Sequence, residues 1–510
     1  MPNRQQASVR RLFSFAALAV AASTCSKTPA TPAGTPWTPG ITYTTPAAPV
    51  YRGLVDRRGL IHAHSINSHD ACDSAPRLMP DGTVPVKDYA GTTIPNAACF
   101  ADFRNDLCKS KHDFVFLTDH RGLFDSTPFP ALDKKTDAST EPDTAAYAPS
   151  RGDKLIARDG HAVANLTTCP DGHTALIIPG HEGNNLMPVG LESHPSSQTY
   201  GADTDPKQFP GSTAEITAAI ADHHAHGAVV LVAHPENLSK EELVALPIDG
   251  FEMYNVHANT LYTGHGIQAA ATLIGELPPN VPEGQGRLPA NPDTVFLAIF
   301  SEDAEYLTRW GYALSKGVKR VTTMGSDCHR NSLPQILPDH ERIDSYRRVM
   351  GWFSNHLLAT PDAQGNVDDL ALKKALKAGR AYGTFEVLGY PIGFDYHAEV
   401  GGAVSEMGDE VSVASQPVFH VTMPTVQNLD PAKEKPELTI RIMRAIDHDT
   451  GWVEVAKGTG DVTFAPTEPG AYRAEVRSLP KHLRQEFGPV ADDWLSHDYV
   501  WIYSNAIYVK

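Results

Sequence analysis

The chain has 510 residues, 41% of them hydrophobic and 20% charged, which exceeds the size at which one core stops growing and predicts two folded domains; a disordered chain and a multi-span membrane protein are excluded. Its 43 Lys+Arg against 60 Asp+Glu leave a net charge of -17, a field that repels a phosphate backbone, so no nucleic-acid partner is expected.

The first 25 residues carry Arg4, Arg10 and Arg11, an apolar run from Leu12 to Ala22, and then Ser23-Thr24-Cys25. This is the layout of a signal peptide, too short for a stable membrane anchor. Three refinements compete. Arg10-Arg11-Leu12-Phe13 resembles a twin-arginine signal, Cys25 before Ser26-Lys27 resembles a bacterial lipoprotein start whose lipidated cysteine would attach the chain to a membrane, and a plain cleaved signal leaves Cys25 incidental. Each predicts an exported bacterial protein, whether periplasmic, anchored at the outer membrane as a lipoprotein, or secreted. Residues 26–50 are rich in Pro, Thr and Ala and predict an extended linker. Among the later cysteines, Cys72, Cys99, Cys108 and Cys169 make an even set that an oxidising compartment would bridge, in a pairing the spacing does not reveal. Cys328 is expected to be a free, buried thiol.

From Tyr51, short apolar runs at Phe114 to Leu117, Ala175 to Ile178, Val229 to Val232 and Val318 to Met324 alternate with helical patterns. Such alternation predicts βα units and a mostly parallel sheet or barrel over 51–385. Ser212-Thr213-Ala214-Glu215 fits a capping box opening a helix from Ile216 to His226, which Gly227 ends. Further helices are predicted from Asp303 to Lys316 and from Val367 to Gly379. After about Glu386 the texture changes to β-rich segments: Val418 to Val421, Leu438 to Arg444, Trp452 to Val455, Tyr472 to Val476 and Tyr499 to Tyr503. They predict a smaller all-β sandwich over 386–510.

The 23 histidines are informative by position. His62-Ala63-His64 follows Gly59-Leu60-Ile61, and period two in an extended segment would put both imidazoles on one face, able to grip one ion. Ser68-His69-Asp70 comes next, and the run from Asp113 to Leu117 delivers Thr118-Asp119-His120. The pattern recurs in Pro179-Gly180-His181-Glu182, Ala233-His234-Pro235 and Gly325-Ser326-Asp327-Cys328-His329. In a closed βα barrel these strand tips share one rim, where such folds build active sites. Mixed imidazole and carboxylate donors suit Zn, Mn or Fe, in a centre of two or three divalent ions. Isolated histidines such as His112, His173, His223 and His224 are expected to be ordinary polar residues.

Taken in order, HxH with a following Ser-x-Asp, Thr-Asp-His, Pro-Gly-x-Glu, Ala-His-Pro and Gly-Ser-Asp-x-His resemble the PHP family, named for polymerase and histidinol phosphatase, over about 51–385. The resemblance implies a distorted seven-stranded (β/α) barrel and a two- or three-metal hydrolytic centre. Residue by residue, it implies one ion on His62, His64, Glu182 and Asp327, a second on His234 with Glu182 bridging, and a third on Asp70, His120 and His329. Many family members have a histidine soon after the glutamate, where this chain has Asn184-Asn185-Leu186; His194 is the nearest substitute. The exported layout, Gly250-Phe251-Glu252-Met253-Tyr254-Asn255 and the ending Trp501-Ile502-Tyr503-Ser504-Asn505 resemble a branch that includes carbaryl hydrolases.

The expected activity is hydrolysis by a metal-bound hydroxide. No GxSxG elbow or Walker loop occurs, so serine-hydrolase and nucleoside-triphosphatase chemistry lacks its usual support. The first expectation is a phosphomonoester or phosphodiester, on a small molecule or linked to lipid or glycan, with Arg121, His181, His257 and Arg330 as substrate contacts. A carbamate, ester or amide is the alternative, and a non-enzymatic surface binding protein with structural metals is a third reading. Asp119 is expected to orient the loop or a ligand histidine, and Glu252 and Asn255 either line the pocket or hold structural hydrogen bonds.

Overall fold

Parallel neighbours in a sheet point their C-terminal ends the same way, so strand direction decides which side chains share a rim. A computed structural model describes residues 34–46, 50–65, 68, 70–74, 85–87, 93–95, 97–120, 152–159, 161–196, 213–262, 291–334, 336–337, 339–448, 450–487 and 491–510. The signal-like segment with Cys25, Ser212 and Arg121 lie outside them.

In chain order the elements that carry the site are β1 (Val55–Ala63), α1 (Ala97–Lys109), β2 (Phe114–Leu117), β3 (Asp119–His120), β4 (Lys154–Arg158), β5 (His161–Thr168), β6 (Thr174–Ile178), β7 (His181–Glu182), β8 (Leu186–Val189), α2 (Thr213–Ala225), β9 (Val229–Val232), β10 (Gly250–Asn255), α3 (Val256–Tyr262), α4 (Ala304–Ser315), β11 (Val321–Cys328), α5 (Tyr346–Trp352), β12 (Ser354–Ala359), α6 (Asp369–Lys377) and β13 (Ala381–Thr384). The pairs β1–β2, β2–β6, β3–β7, β1–β11, β10–β11 and β9–β10 are all parallel. Antiparallel β8 pairs with β9, and a bridge from Gly180 to Val189 links it back to the β6–β7 segment. On the other side, β12 runs antiparallel to both β1 and β13.

These strands are buried on both faces, which is why they read as unbroken apolar runs. Successive residues alternate between two cores: Leu60, Val115, Ile177 and Val230 join one, whereas Ile61, Phe114, Leu176 and Val229 join the other. Helix α4 starts at Asp303, whose carboxylate caps the amides of Glu305 and Tyr306, and α6 starts at Asp368, which caps Ala371. The strand expected from Val318 to Met324 begins later and runs further, to Cys328. Gly317 turns the chain at φ 76°, and Arg320 is tied to the carbonyls of Leu243, Val244 and Leu246. Asp327 therefore lies inside β11 rather than beyond it.

The C-terminal strands are β14 (Asp395–Val400), β15 (Ala403–Glu406), β16 (Val418–Thr422), β17 (Glu437–Ala445), β18 (Trp452–Gly458), β19 (Val462–Phe464), β20 (Gly470–Leu479), β21 (Tyr499–Ser504) and β22 (Ile507–Val509). The strands β14, β15, β16 and β19 form a small sheet that packs on β20, where Tyr396 donates to the carbonyl of Tyr472 at 2.9 Å. The strands β17, β18, β20, β21 and β22 belong to the large mixed sheet, because β21 pairs with β13. Hydrogen bonds thus run across the texture change near Glu386, and Pro36–Lys510 forms one compact unit. A Cys108–Cys169 disulfide joins the end of α1 to the turn after β5, Cys72 is also disulfide-bonded, and Cys328 is free and buried. Among the described residues, no helix is long and apolar enough to cross a membrane.

Candidate metal centre

The shared direction of β1, β2, β6, β9, β10 and β11 carries His62, His64, His120, Glu182, His234, His257, Asp327 and His329 to one rim. The local backbone there is not regular. Pairing of β1 with both β2 and β11 slips between Ile61 and Ala63, and His62 sits at φ 78°. This bulge corrects the period-two expectation: His62 and His64 are re-aimed by the extra residue, not placed on one face by alternation. His234 at φ 52° and Asp327 at φ 47° are likewise left-handed. Three strained non-glycine residues at one rim are the kind of outlier that marks a functional site.

Their side chains converge. In one group the donor atoms of His62, Glu182, His234 and Asp327 all lie within 4.8 Å of one another; a second group holds His64, Asp70, His120 and His329, and a third holds His257, Asp327 and His329. His62 Nε2 is 2.8 Å from Glu182 Oε2 and 3.1 Å from Asp327 Oδ1. His64 Nε2 stands between the first two groups, 3.1 Å from Glu182 Oε2 and 3.3 Å from Asp327 Oδ1, with its ring stacked 3.6 Å from that of His329. Asp70 Oδ2 lies 3.3 Å from His329 Nε2 and 3.7 Å from His120 Nε2.

Five of these imidazoles use Nδ1 outward. His62 donates to Glu252 (2.6 Å), His64 to Ser68 Oγ (3.1 Å), His120 to the carbonyl of Glu182 (3.3 Å), His234 to Glu236 (3.1 Å) and His329 to the carbonyl of Asp327 (2.9 Å). Each partner accepts, so it fixes a proton on Nδ1 and turns Nε2 toward the centre, the orientation that ligand histidines need. Glu252 is itself placed against Gly325, where any Cβ would collide with Glu252 Oε1. Glu236 and Tyr306, which donates to it, escaped the sequence reading, although Glu236 follows His234-Pro235 directly.

The residues fit divalent ions on two observations. Asp327 Oδ1 and His329 Nε2 are buried without a hydrogen bond, although nitrogens and oxygens stand 3.1–3.3 Å away. Burial alone would raise Glu182 and Asp327, yet the surrounding imidazoles hold both carboxyls well below the usual range, so both stay charged. Burial with a neighbouring His329 pushes His64 down to about 4. For His329 burial acts downward, but Asp70 outweighs it and lifts the imidazole to about 9.

The other predicted residues fall elsewhere. His194 joins none of the groups: Glu192, two residues before it, is tied to the carbonyl of His226 at the entry of β9, the end opposite His234. His181, expected as a substrate contact, is buried and donates to the carbonyl of Asp119 at 2.9 Å, with its imidazole pushed down to about 3 by burial. Asp119 holds the loop after β1 through the amide and hydroxyl of Ser65. Arg330 reaches Asp102 at 3.2 Å. His257, expected to touch substrate, places Nδ1 2.9 Å from Asp327 Oδ2.

No protein-family model matches the chain. No curated protein matches it either. Among solved structures the chain is similar to a two-domain protein containing a predicted PHP-like metal-dependent phosphoesterase from Bacteroides vulgatus, at 12% identity over 85% of this chain and 94% of that one, with a TM-score of 0.29. At such a distance the functional reading rests on the geometry of the rim.

Proposed function

We propose that the chain is a metal-dependent hydrolase acting on phosphoesters. The observation that carries this is the pair of four-residue donor groups, one of His62, Glu182, His234 and Asp327 and one of His64, Asp70, His120 and His329, each within 4.8 Å. Divalent ions held there supply an activated water at neutral pH and polarise an ester oxygen. The protein's own share is to keep Glu182 and Asp327 ionised, to hold each Nε2 inward, and to fix the loop after β1 through Asp119.

Arg330 supports an anionic substrate: it follows His329, one arm reaches Asp102, and Nη1 is buried without a hydrogen bond. A guanidinium with an unpaired donor, on the residue that follows His329, suits a phosphoryl group better than a neutral ester. We read the circuit from β1 through β2, β6, β8, β9, β10 and β11 back to β1 as the distorted seven-stranded barrel, and 386–510 as a sandwich sharing its sheet. Export is proposed on the signal-like first 25 residues, supported by the Cys108–Cys169 disulfide, which suits an oxidising compartment.

Elemental analysis of the purified chain, beside rates on chromogenic phosphate, carboxyl and carbamate esters with Asp327→Ala as control, tests the proposal. Bound divalent ions and phosphoester turnover that the variant loses are the expected result. Turnover confined to carbonyl esters would move the substrate class. A folded, metal-supplemented chain without bound ions would end the hydrolase reading.

A further inference from the structure

Glu182 and Asp327 each present two oxygens, and the surrounding imidazoles divide between them. On the side of Glu182 Oε2 and Asp327 Oδ1 stand His62, at 2.8 and 3.1 Å, and His64, at 3.1 and 3.3 Å. On the side of Glu182 Oε1 and Asp327 Oδ2 stands His234, at 3.6 and 3.3 Å, and His257 Nδ1 lies 2.9 Å from Asp327 Oδ2. Two imidazoles thus face each half: His234 and His257 share Asp327 Oδ2, with Glu182 Oε1 beside His234 and His329 beside His257. A set of two nitrogens and two oxygens suits a borderline divalent cation.

We infer that His257 is a metal ligand on the His234 half of this centre, in the place for which the segment after Glu182 supplies no histidine. That segment is committed to a turn. Asn184 and Asn185 lie at φ 55° and 63°, and Asn185 accepts from Asn237 through its side chain and from the Ala233 amide through its carbonyl. His257 comes from the opposite direction: β10 ends at Asn255, whose side chain caps the amide of Ala258 at 3.0 Å and is itself held by Glu252, so the start of α3 is fixed against the residue that also orients His62. Its ring lies nearly parallel to that of His329, 5.5 Å away. Unlike the five imidazoles that face inward through Nε2, His257 offers Nδ1. Its side chain keeps 31% of its surface open, which makes it the solvent side of the centre.

The inference rests on the metal-centre reading above, and the test separates the two. The full chain is loaded with Mn(II), desalted, and its bound Mn(II) counted by elemental analysis, with electron paramagnetic resonance reporting ions coupled through shared carboxylates. His257→Ala is expected to bind one equivalent fewer than the unmodified chain and to lose the coupled signal, while His257→Asp, which returns a ligand oxygen, restores both. Circular dichroism checks that the variants fold. If the alanine variant does not, His257→Gln, which keeps the volume and loses the imidazole, is expected to show the same lost equivalent. Unchanged stoichiometry and coupling in a folded His257→Ala or His257→Gln chain overturns the role of His257 alone. An unmodified chain that binds no Mn(II) overturns the metal centre as well.

Discussion

Two regions of this molecule bury carboxylates, and they neutralise them differently. Around the C-terminal strands the partner is a guanidinium: Glu475 is met by Arg473 at 2.7 Å and Arg441 at 3.0 Å, Glu302 by Arg477 at 2.8 Å, and Glu386 by Arg58. At the rim, Glu182, Glu252 and Asp327 are as deeply buried, yet among the described residues they form ion pairs with imidazoles alone. A guanidinium is a permanent cation, whereas an imidazole is a cation only while it holds a second proton, which a metal ion can replace. Buried charge without a permanent counter-charge is costly. The arginine pairs therefore complete a structure, whereas on the proposed reading the rim is completed by bound cations.

The largest expected effect breaks the rim. Asp327→Ala removes the carboxylate that faces His62, His64, His234 and His257, and with it several kcal/mol of charge stabilisation, so hydrolysis is expected to fall on the order of 10³-fold or more with the fold intact. Initial rates and far-ultraviolet circular dichroism check it, and a chelator should reproduce the loss in the unmodified chain. Arg58→Ala breaks the other kind of pair. Leaving Glu386 buried and uncompensated is expected to cost about 3–5 kcal/mol in urea unfolding, with or without added metal. Recovery of that loss on adding metal would erase the distinction between the two regions. Next in size, Glu252→Gln keeps the shape but weakens the acceptor that orients His62, and metal affinity is expected to drop about 10–100-fold by chelator competition.

The rim was legible because strand direction is: apolar runs that end in His or Asp, joined by helices, leave little choice about where their tips point. What the sequence hid was local and long-range geometry. Nothing in Ile61-His62-Ala63-His64 announces the bulge at His62, since histidine has no particular claim to φ 78°. The turn at Asn184-Asn185 stands where a histidine is common in the resembled family, and the ligand inferred in its place, His257, lies 73 positions beyond Asn184, too far along the chain for spacing to connect the two. The C-terminal strands were recognised one by one, but their membership in the large sheet depends on β13 pairing with β21, and alternation within a strand carries no record of its partner.

The smallest expected effect sharpens the comparison by testing whether the two regions communicate. Tyr306 is buried on α4 and donates to Glu236, which in turn accepts from His234 Nδ1. One turn further along the same helix, Trp310 stacks under Arg473 at 4.6 Å and packs against Trp452 at 4.9 Å. One face of a single helix thus touches an arginine pair of the C-terminal strands and, through one carboxylate, His234. Tyr306→Phe keeps the ring and removes only the hydroxyl, so stability is expected to fall by about 1 kcal/mol, while metal affinity falls by roughly 10-fold at the His234 half. Urea unfolding of the metal-free chain measures the first and chelator competition the second. A loss of stability with unchanged affinity would make α4 a structural prop between two independent regions; loss of both makes the C-terminal strands part of how the metal centre is held.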